Sequence, residues 1–194
     1  VASKVRTVAN KMFSVEGQWS KATLFGQSLF HKGGKYVTIV EGELDALAAF
    51  QMLGSKWPVV SIRNGAQAAL KDCKANFEWL ESFENVVICF DSDEPGKKAS
   101  DEVAELFGSK AKVLKHIKDC KDACDYLVKG ETANFVNAWW RAETYVPDGI
   151  VAASSLWEEV SAPEKPAEAL YPFKGLNSLL YGLRPAELIT VTAG

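Results

Sequence analysis

The chain has 194 residues, 47% of them apolar and 24% charged, with a net charge of −3. That balance excludes a disordered or collagen-like chain, and no apolar run reaches the roughly 18–20 residues of a membrane helix, so no membrane partner is expected. The four cysteines, Cys73, Cys89, Cys120 and Cys124, are too sparse for a disulfide scaffold and point to a reducing compartment.

Only Cys120 and Cys124 lie close together, and no second Cys/His pair completes a tetrahedral zinc site. The opening VASKVRTVANK has neither an apolar leader nor Met, and the end, LITVTAG, stops inside an apolar run. The chain is therefore expected to be a piece of a longer one. Its charge is unevenly spread: residues 1–35 carry Lys4, Arg6, Lys11, Lys21, Lys32 and Lys35 against Glu16 alone. Their net of +5 leaves −8 for the remainder of the −3 chain. A basic lead-in beside acidic clusters suits a protein that holds a polyanion near bound metal. A solvated charged face is the plainer alternative.

In chain order, residues 36–40 (YVTIV) predict a strand and residues 43–53 a helix with Leu44, Leu47, Ala48 and Met52 on one face, stopped by Gly54. Residues 59–62 predict a second strand, and Asn64-Gly65 a turn. Residues 66–83 carry Ala69, Leu70, Cys73, Phe77 and Leu80 at helical spacing. Residues 86–90 (VVICF) form a wholly apolar strand, as at the centre of a parallel sheet. Pro95 opens a helix that continues over 97–107. A fourth strand is expected over 111–117, and helices over 123–128 and 132–140. The alternation predicts an α/β fold: a mostly parallel central sheet with helices on both faces. Pro147-Asp148-Gly149 marks an edge, Ser154 or Ser155 caps a short helix over 156–160 with Glu158 and Glu159 near its start, and residues 162–166 read as a linker. Residues 187–192 resemble a strand, with Ala193-Gly194 beginning the loop after it. Trp57, Trp79, Trp139, Trp140 and Phe25 are expected in the core. Trp19, in a polar surround, is the exception, and all six aromatics could stack bases.

Two acidic motifs follow predicted strands: Glu41-Gly42-Glu43-Leu44-Asp45-Ala46 and Asp91-Ser92-Asp93-Glu94-Pro95-Gly96. Lys121-Asp122 follows the next strand. In a parallel sheet these strand ends face one edge, where ligands bind. Carboxylates gathered there repel one another unless cations neutralise them, and oxygen donors without His or Cys indicate Mg²⁺ or Mn²⁺. Metals held by few carboxylates usually serve phosphates. The separate pieces have simpler readings. Glu43 and Asp45 suit a helix N-terminus, and Asp91 could resemble the strand-end acid of a receiver domain. Arg63 and Asn64, in a loop at the same edge, could contact a nucleotide or form a plain turn.

The combination of E-G-x-x-D-A, D-x-D-x-x-G and K-D resembles the Toprim domain of primases, topoisomerases and some nucleases. VEGELDALAAFQ, VVSIRNGAQAALKDCKANFEWLESFENVVICFDSDEPGKKA, CKDACDYL, PDGIVAASSLWEEV and LITVTAG together resemble the bifunctional primase-helicases of T-odd-like podophages, which are related to the mitochondrial helicase Twinkle. The resemblance implies four segments. Residues 1–34 would be the tail of the N-terminal RNA polymerase subdomain, and 35–146 the Toprim catalytic domain. Residues 147–172 would be a linker with an interaction helix, and 173–194 the start of a helicase domain, ending before its P-loop.

It also implies roles. Glu41 would be a metal ligand or the general base for a 3′-hydroxyl, with Asp91 and Asp93 binding metal. Asp122 and Asp45 would be further acids near the metals, and Lys121 would contact phosphate. Lys4, Arg6 and Lys11 would contact template or nucleotide. The implied activity is synthesis of short RNA primers from ribonucleoside triphosphates on a single-stranded DNA template, with two Mg²⁺ (or Mn²⁺) ions, in the cytoplasm of an infected bacterium. Neighbouring helicase subunits would pack on the linker helix. The alternatives are a Toprim nuclease, a degenerate Toprim that binds DNA or organises a ring without catalysis, and a receiver-type module.

Overall fold

A computed structural model describes residues 2–7, 12–147, 156–162, 167–185, 188–190 and 192. These fall into two compact units, divided after residue 150. The first begins with an antiparallel ribbon of β1 (Ala2–Arg6) and β2 (Phe13–Gly17), nearly all of it exposed. Further along come β3 (Gly34–Val40), α1 (Glu43–Met52), β4 (Val59–Ser61), α2 (Ala69–Ala75), α3 (Phe77–Leu80) and β5 (Phe83–Cys89). The unit closes with α4 (Glu94–Phe107), β6 (Ala111–Val113), α5 (Ala123–Val128), α6 (Thr132–Trp140) and β7 (Glu143–Thr144).

The sheet order is β4-β3-β5-β6-β7, parallel throughout except for β7, which runs antiparallel to β6. Strand periodicity divides the core between the two faces. Val37 and Ile39 of β3 and Val86 and Ile88 of β5 pack with residues of α2 and α4. Val40, Val87 and Cys89 point the other way, among residues of α1, α5 and α6. Trp139 closes that second face: it is buried, and its Nε1 donates to Thr38 Oγ1 at 2.9 Å.

The α/β expectation is met, with local departures. In α1 the buried residues are Ala46, Ala48, Ala49 and Met52, whereas Leu44 and Leu47 are 59% and 56% exposed. The small alanines let the helix approach closely, so the leucines project outward. The helix expected over 66–83 is broken. A turn at Ala66–Ala68 precedes α2, and Asn76 Nδ2 donates to the Asp72 carbonyl at 2.9 Å between α2 and α3. The strand expected over 111–117 ends at Val113, and Ile117 N–H turns to the Tyr126 hydroxyl at 2.8 Å. Trp140, expected in the core, is 56% exposed, and Phe25 is exposed too.

In the second unit lie α7 (Trp157–Val160) and α8 (Lys174–Leu180). An antiparallel bridge joins Ala169 to Leu183, and Asn177 exchanges two hydrogen bonds with the Tyr171 backbone, both at 2.8 Å. Lys11, Asp148, Gly149, Ser154, Ser155, residues 163–166, Glu187, Val191, Ala193 and Gly194 lie outside the described residues. Among the described residues no helix is long and apolar enough to cross a membrane.

Candidate active site at the acidic sheet edge

The C-terminal ends of β3 and β5 lie side by side, because Val40 pairs with Cys89. The residues that follow, Glu41 and Asp91, are thereby brought together from 50 positions apart, with the Asp91 N–H donating to Glu41 Oε1 at 3.0 Å. Asp93 caps α4, its Oδ1 accepting from the Gly96 N–H at 2.8 Å. Asp122 caps α5 in the same way, accepting from the Asp125 N–H at 2.7 Å. That cap is tied to the edge by the Ser92 N–H, which donates to the Lys121 carbonyl at 2.9 Å. Asp45 reaches across from α1 and accepts from the Cys124 N–H at 3.0 Å.

Gly96 is required for this approach. A Cβ there would stand 2.2 Å from the Asp91 carbonyl oxygen and 2.8 Å from Glu41 Oε1.

The electrostatics follow from the crowding. Burial raises the Asp91 pKa to about 7, reinforced by the negative charges of Glu41, Asp45, Asp122 and Asp93. Burial likewise raises Glu41; hydrogen bonding from the Asp91 backbone opposes this, while Asp93 and Asp45 add to it. Asp45 is raised by burial, against the hydrogen bonds from Cys124. His116, whose Nε2 lies 2.8 Å from the Phe90 carbonyl, is lowered by burial.

All five predicted acids therefore share one edge. The donor set suits a hard cation: carboxylate oxygens only, and a mutual repulsion that a positive ion relieves. Among the described residues no three His, Cys, Asp or Glu side chains already form a cage, so these carboxylates would have to turn toward an ion to hold it.

The predicted basic residues divide. Lys4 reaches the edge, its Nζ 2.7 Å from Glu43 Oε1, while Arg6 stays on the ribbon over the Phe13 ring, 5.6 Å from its centroid. Lys121 is exposed, with Nζ 3.7 Å from Asp122 Oδ2. Arg63 turns away from the acids toward Asp72, Trp19 and Ala22. A groove beside the edge, lined by Ala66, Gln67, Pro95 and Lys98 among others, was not anticipated. Lys98 sits on an ordinary solvated helix stretch, so no sequence signal distinguished it.

Fold and acidic edge together are those of a Toprim domain, and a Toprim-like family model matches residues 38–127. Over the whole chain the sequence is 36% identical to the DNA helicase/primase of Enterobacteria phage T3, of which it spans 34%. A structure of the bacteriophage T7 lagging-strand DNA polymerase, interacting with primase domains of two gp4 subunits bound to an RNA/DNA hybrid and dTTP, aligns with a TM-score of 0.68 and 36% identity. That alignment covers 75% of this chain and 72% of its counterpart. The crystal structure of the primase fragment of the bacteriophage T7 primase-helicase aligns with a TM-score of 0.64 and 36% identity, over 72% of this chain and 57% of that one. The chain belongs to the Toprim primases of the phage primase-helicase family. It spans about a third of the length of the phage T3 relative.

Proposed function

We propose that this chain is the catalytic primase part of a phage primase-helicase, making short RNA primers on single-stranded DNA during replication in an infected bacterium. The carrying observation is the convergence of Glu41, Asp45, Asp93 and Asp122 around Asp91, on a scaffold 36% identical to the T7 primase fragment. Toprim primases depend on metal; here we propose two Mg²⁺ or Mn²⁺ ions, held by Glu41, Asp91 and Asp93 with Asp45 and Asp122 beside them. Held by these carboxylates, such ions would supply Lewis-acid polarisation of the α-phosphate and neutralise the charge of the leaving pyrophosphate.

The chain's own groups do the rest. Glu41 takes the proton of the attacking ribose 3′-hydroxyl. The new bond joins that oxygen to the α-phosphorus of the incoming ribonucleoside triphosphate, and the bond to pyrophosphate breaks. Lys121 meets nucleotide phosphate, while Lys4, Arg6 and Lys11 hold the strand. Residues 147–172 connect to a helicase part, and α7 packs on a neighbouring subunit. The test is Asp91→Asn, Asp93→Asn and Glu41→Gln in the intact protein. Each is expected to cut dinucleotide synthesis at least about 10³-fold while melting no earlier than the parent. Near-normal synthesis by any of them would remove the site, and synthesis lost only through unfolding would leave the acids structural.

A further inference from the structure

Arg63 follows β4 at the acidic edge, but its guanidinium is committed elsewhere. Its Nε and Nη2 donate to Asp72 Oδ1 at 3.1 and 2.6 Å, and its backbone N–H donates to Asp72 Oδ2 at 2.8 Å. Its Nη1 donates to the carbonyls of Trp19 and Ala22 at 3.2 and 2.7 Å. The side chains are 11% exposed for Arg63 and 1% for Asp72. Only a planar fork with several donors serves these acceptors at once; a lysine ammonium cannot span them.

The same joint is reinforced on both sides. Trp19 Nε1 donates to Asn64 Oδ1 at 3.2 Å, and Phe25 exchanges backbone hydrogen bonds with Ser61 at 3.0 and 3.2 Å. Residues 19–25 are thus fixed to residues 61–64.

These residues carry the β1–β2 ribbon. A two-stranded ribbon without a core of its own is marginal in water, and this one is nearly all exposed. It touches the edge through Lys4, whose Nζ lies 2.7 Å from Glu43 Oε1 and 3.2 Å from the carbonyl oxygen of Arg63 itself. Arg63 therefore anchors the chain segment behind the ribbon and also receives the ribbon's lysine.

We propose that Arg63 and Asp72 are positioning residues. Their buried pair clamps residues 19–22 so that the ribbon presents Lys4 at the acidic edge, where Lys4 takes a backbone phosphate of the nucleic-acid strand. Arg63 is not itself a nucleotide contact. This rests on the primase reading above, and it locates the clamp in strand binding rather than in the chemical step.

The experiment measures, in the intact protein, anisotropy of a labelled single-stranded oligonucleotide beside primer-synthesis kinetics. Arg63→Lys and Asp72→Asn are each expected to raise the oligonucleotide Kd and the template KM about tenfold, with kcat within about twofold. Lys4→Ala should give a similar loss, and adding Arg63→Lys to it should cost less than about twofold more, because both act through one contact. Losses that multiply in the double variant, an unchanged KM, or a fall in kcat alone overturn the proposal, the last by putting Arg63 at the reacting nucleotide.

If both clamp variants fail to fold, Trp19→Phe removes only the exposed hydrogen bond to Asn64. It is expected to raise KM about threefold without changing the melting transition, and an unchanged KM there also overturns the proposal. The anisotropy arm needs no synthesis. A failure of the catalytic reading, seen as synthesis by Asp91→Asn, is thereby distinguished from a failure of the clamp.

Discussion

Asp91 sits half-buried at the end of β5, and its pKa is pushed up to about 7, first by burial and then by Glu41, Asp45, Asp122 and Asp93. Its ordinary value is 3.8, so the folded protein binds this proton more tightly than the unfolded chain does. Stability from this group is therefore complete below pH 3.8 and is lost as pH rises through about 7. The full shift corresponds to about 4 kcal/mol, and partial access to water cuts this to about 1–2 kcal/mol. In chelator, Asp91→Asn should be more stable than the parent at pH 8, and the gap should be clearly smaller at pH 5 and close only below about pH 3.8. Thermal melts across that range check it, and equal gaps at both pH values would show that Asp91 carries no such penalty. The acids were legible because each follows a β-rich run whose end must face the ligand edge. The Arg63 clamp was not. Two of its acceptors are the backbone carbonyls of Trp19 and Ala22, which leave no mark on the side-chain pattern.

At the scale of elements, the inner part of β5 was legible because a short, β-branched, wholly apolar run at 86–90 suits a strand covered on both faces, whereas its polar start at Glu84 and Asn85 gave no such signal. The helix α1 was located and half of its expected face, Ala48 and Met52, is buried, but Ala46 and Ala49 take the core positions expected for Leu44 and Leu47. The β1–β2 ribbon escaped notice because it buries almost nothing and so carries no hydrophobic period. The short helix α7 raises the converse question. Its four residues include Trp157 and Val160, which are 71% and 75% exposed, and a helix this short does not persist in water unaided. A partner surface on a neighbouring subunit would account for it. Leu156→Asp with Trp157→Ala should then weaken ring assembly at least about tenfold in sedimentation, because aromatic anchors dominate such contacts. Primer synthesis on short templates should survive. Intact rings with lost synthesis would place the helix in the catalytic part instead.

For the whole molecule, the arrangement of charge matters more than its sum. A net of −3 suggests no attraction to nucleic acid, yet residues 1–35 carry +5. The ribbon brings Lys4 from that basic segment to the acidic edge, within 2.7 Å of Glu43. Carboxylates alone would repel a phosphate backbone; lysines at their border supply the local attraction, and bound cations would supply the rest. The sequence made the charge split visible, but not where the two halves meet, because that depends on a joint formed by residues 19–25 and 61–64. If Lys4 and Lys11 each neutralise one phosphate, replacing both with Gln removes two counterion-release events. The slope of log K against log salt for single-stranded DNA should then shrink by about 1.4, at about 0.7 per phosphate contact. Oligonucleotide titrations between low and moderate salt measure this directly. A weaker affinity with the parent slope would mean that the lysines support the ribbon without touching phosphate. An unchanged affinity and slope would make them a solvated face.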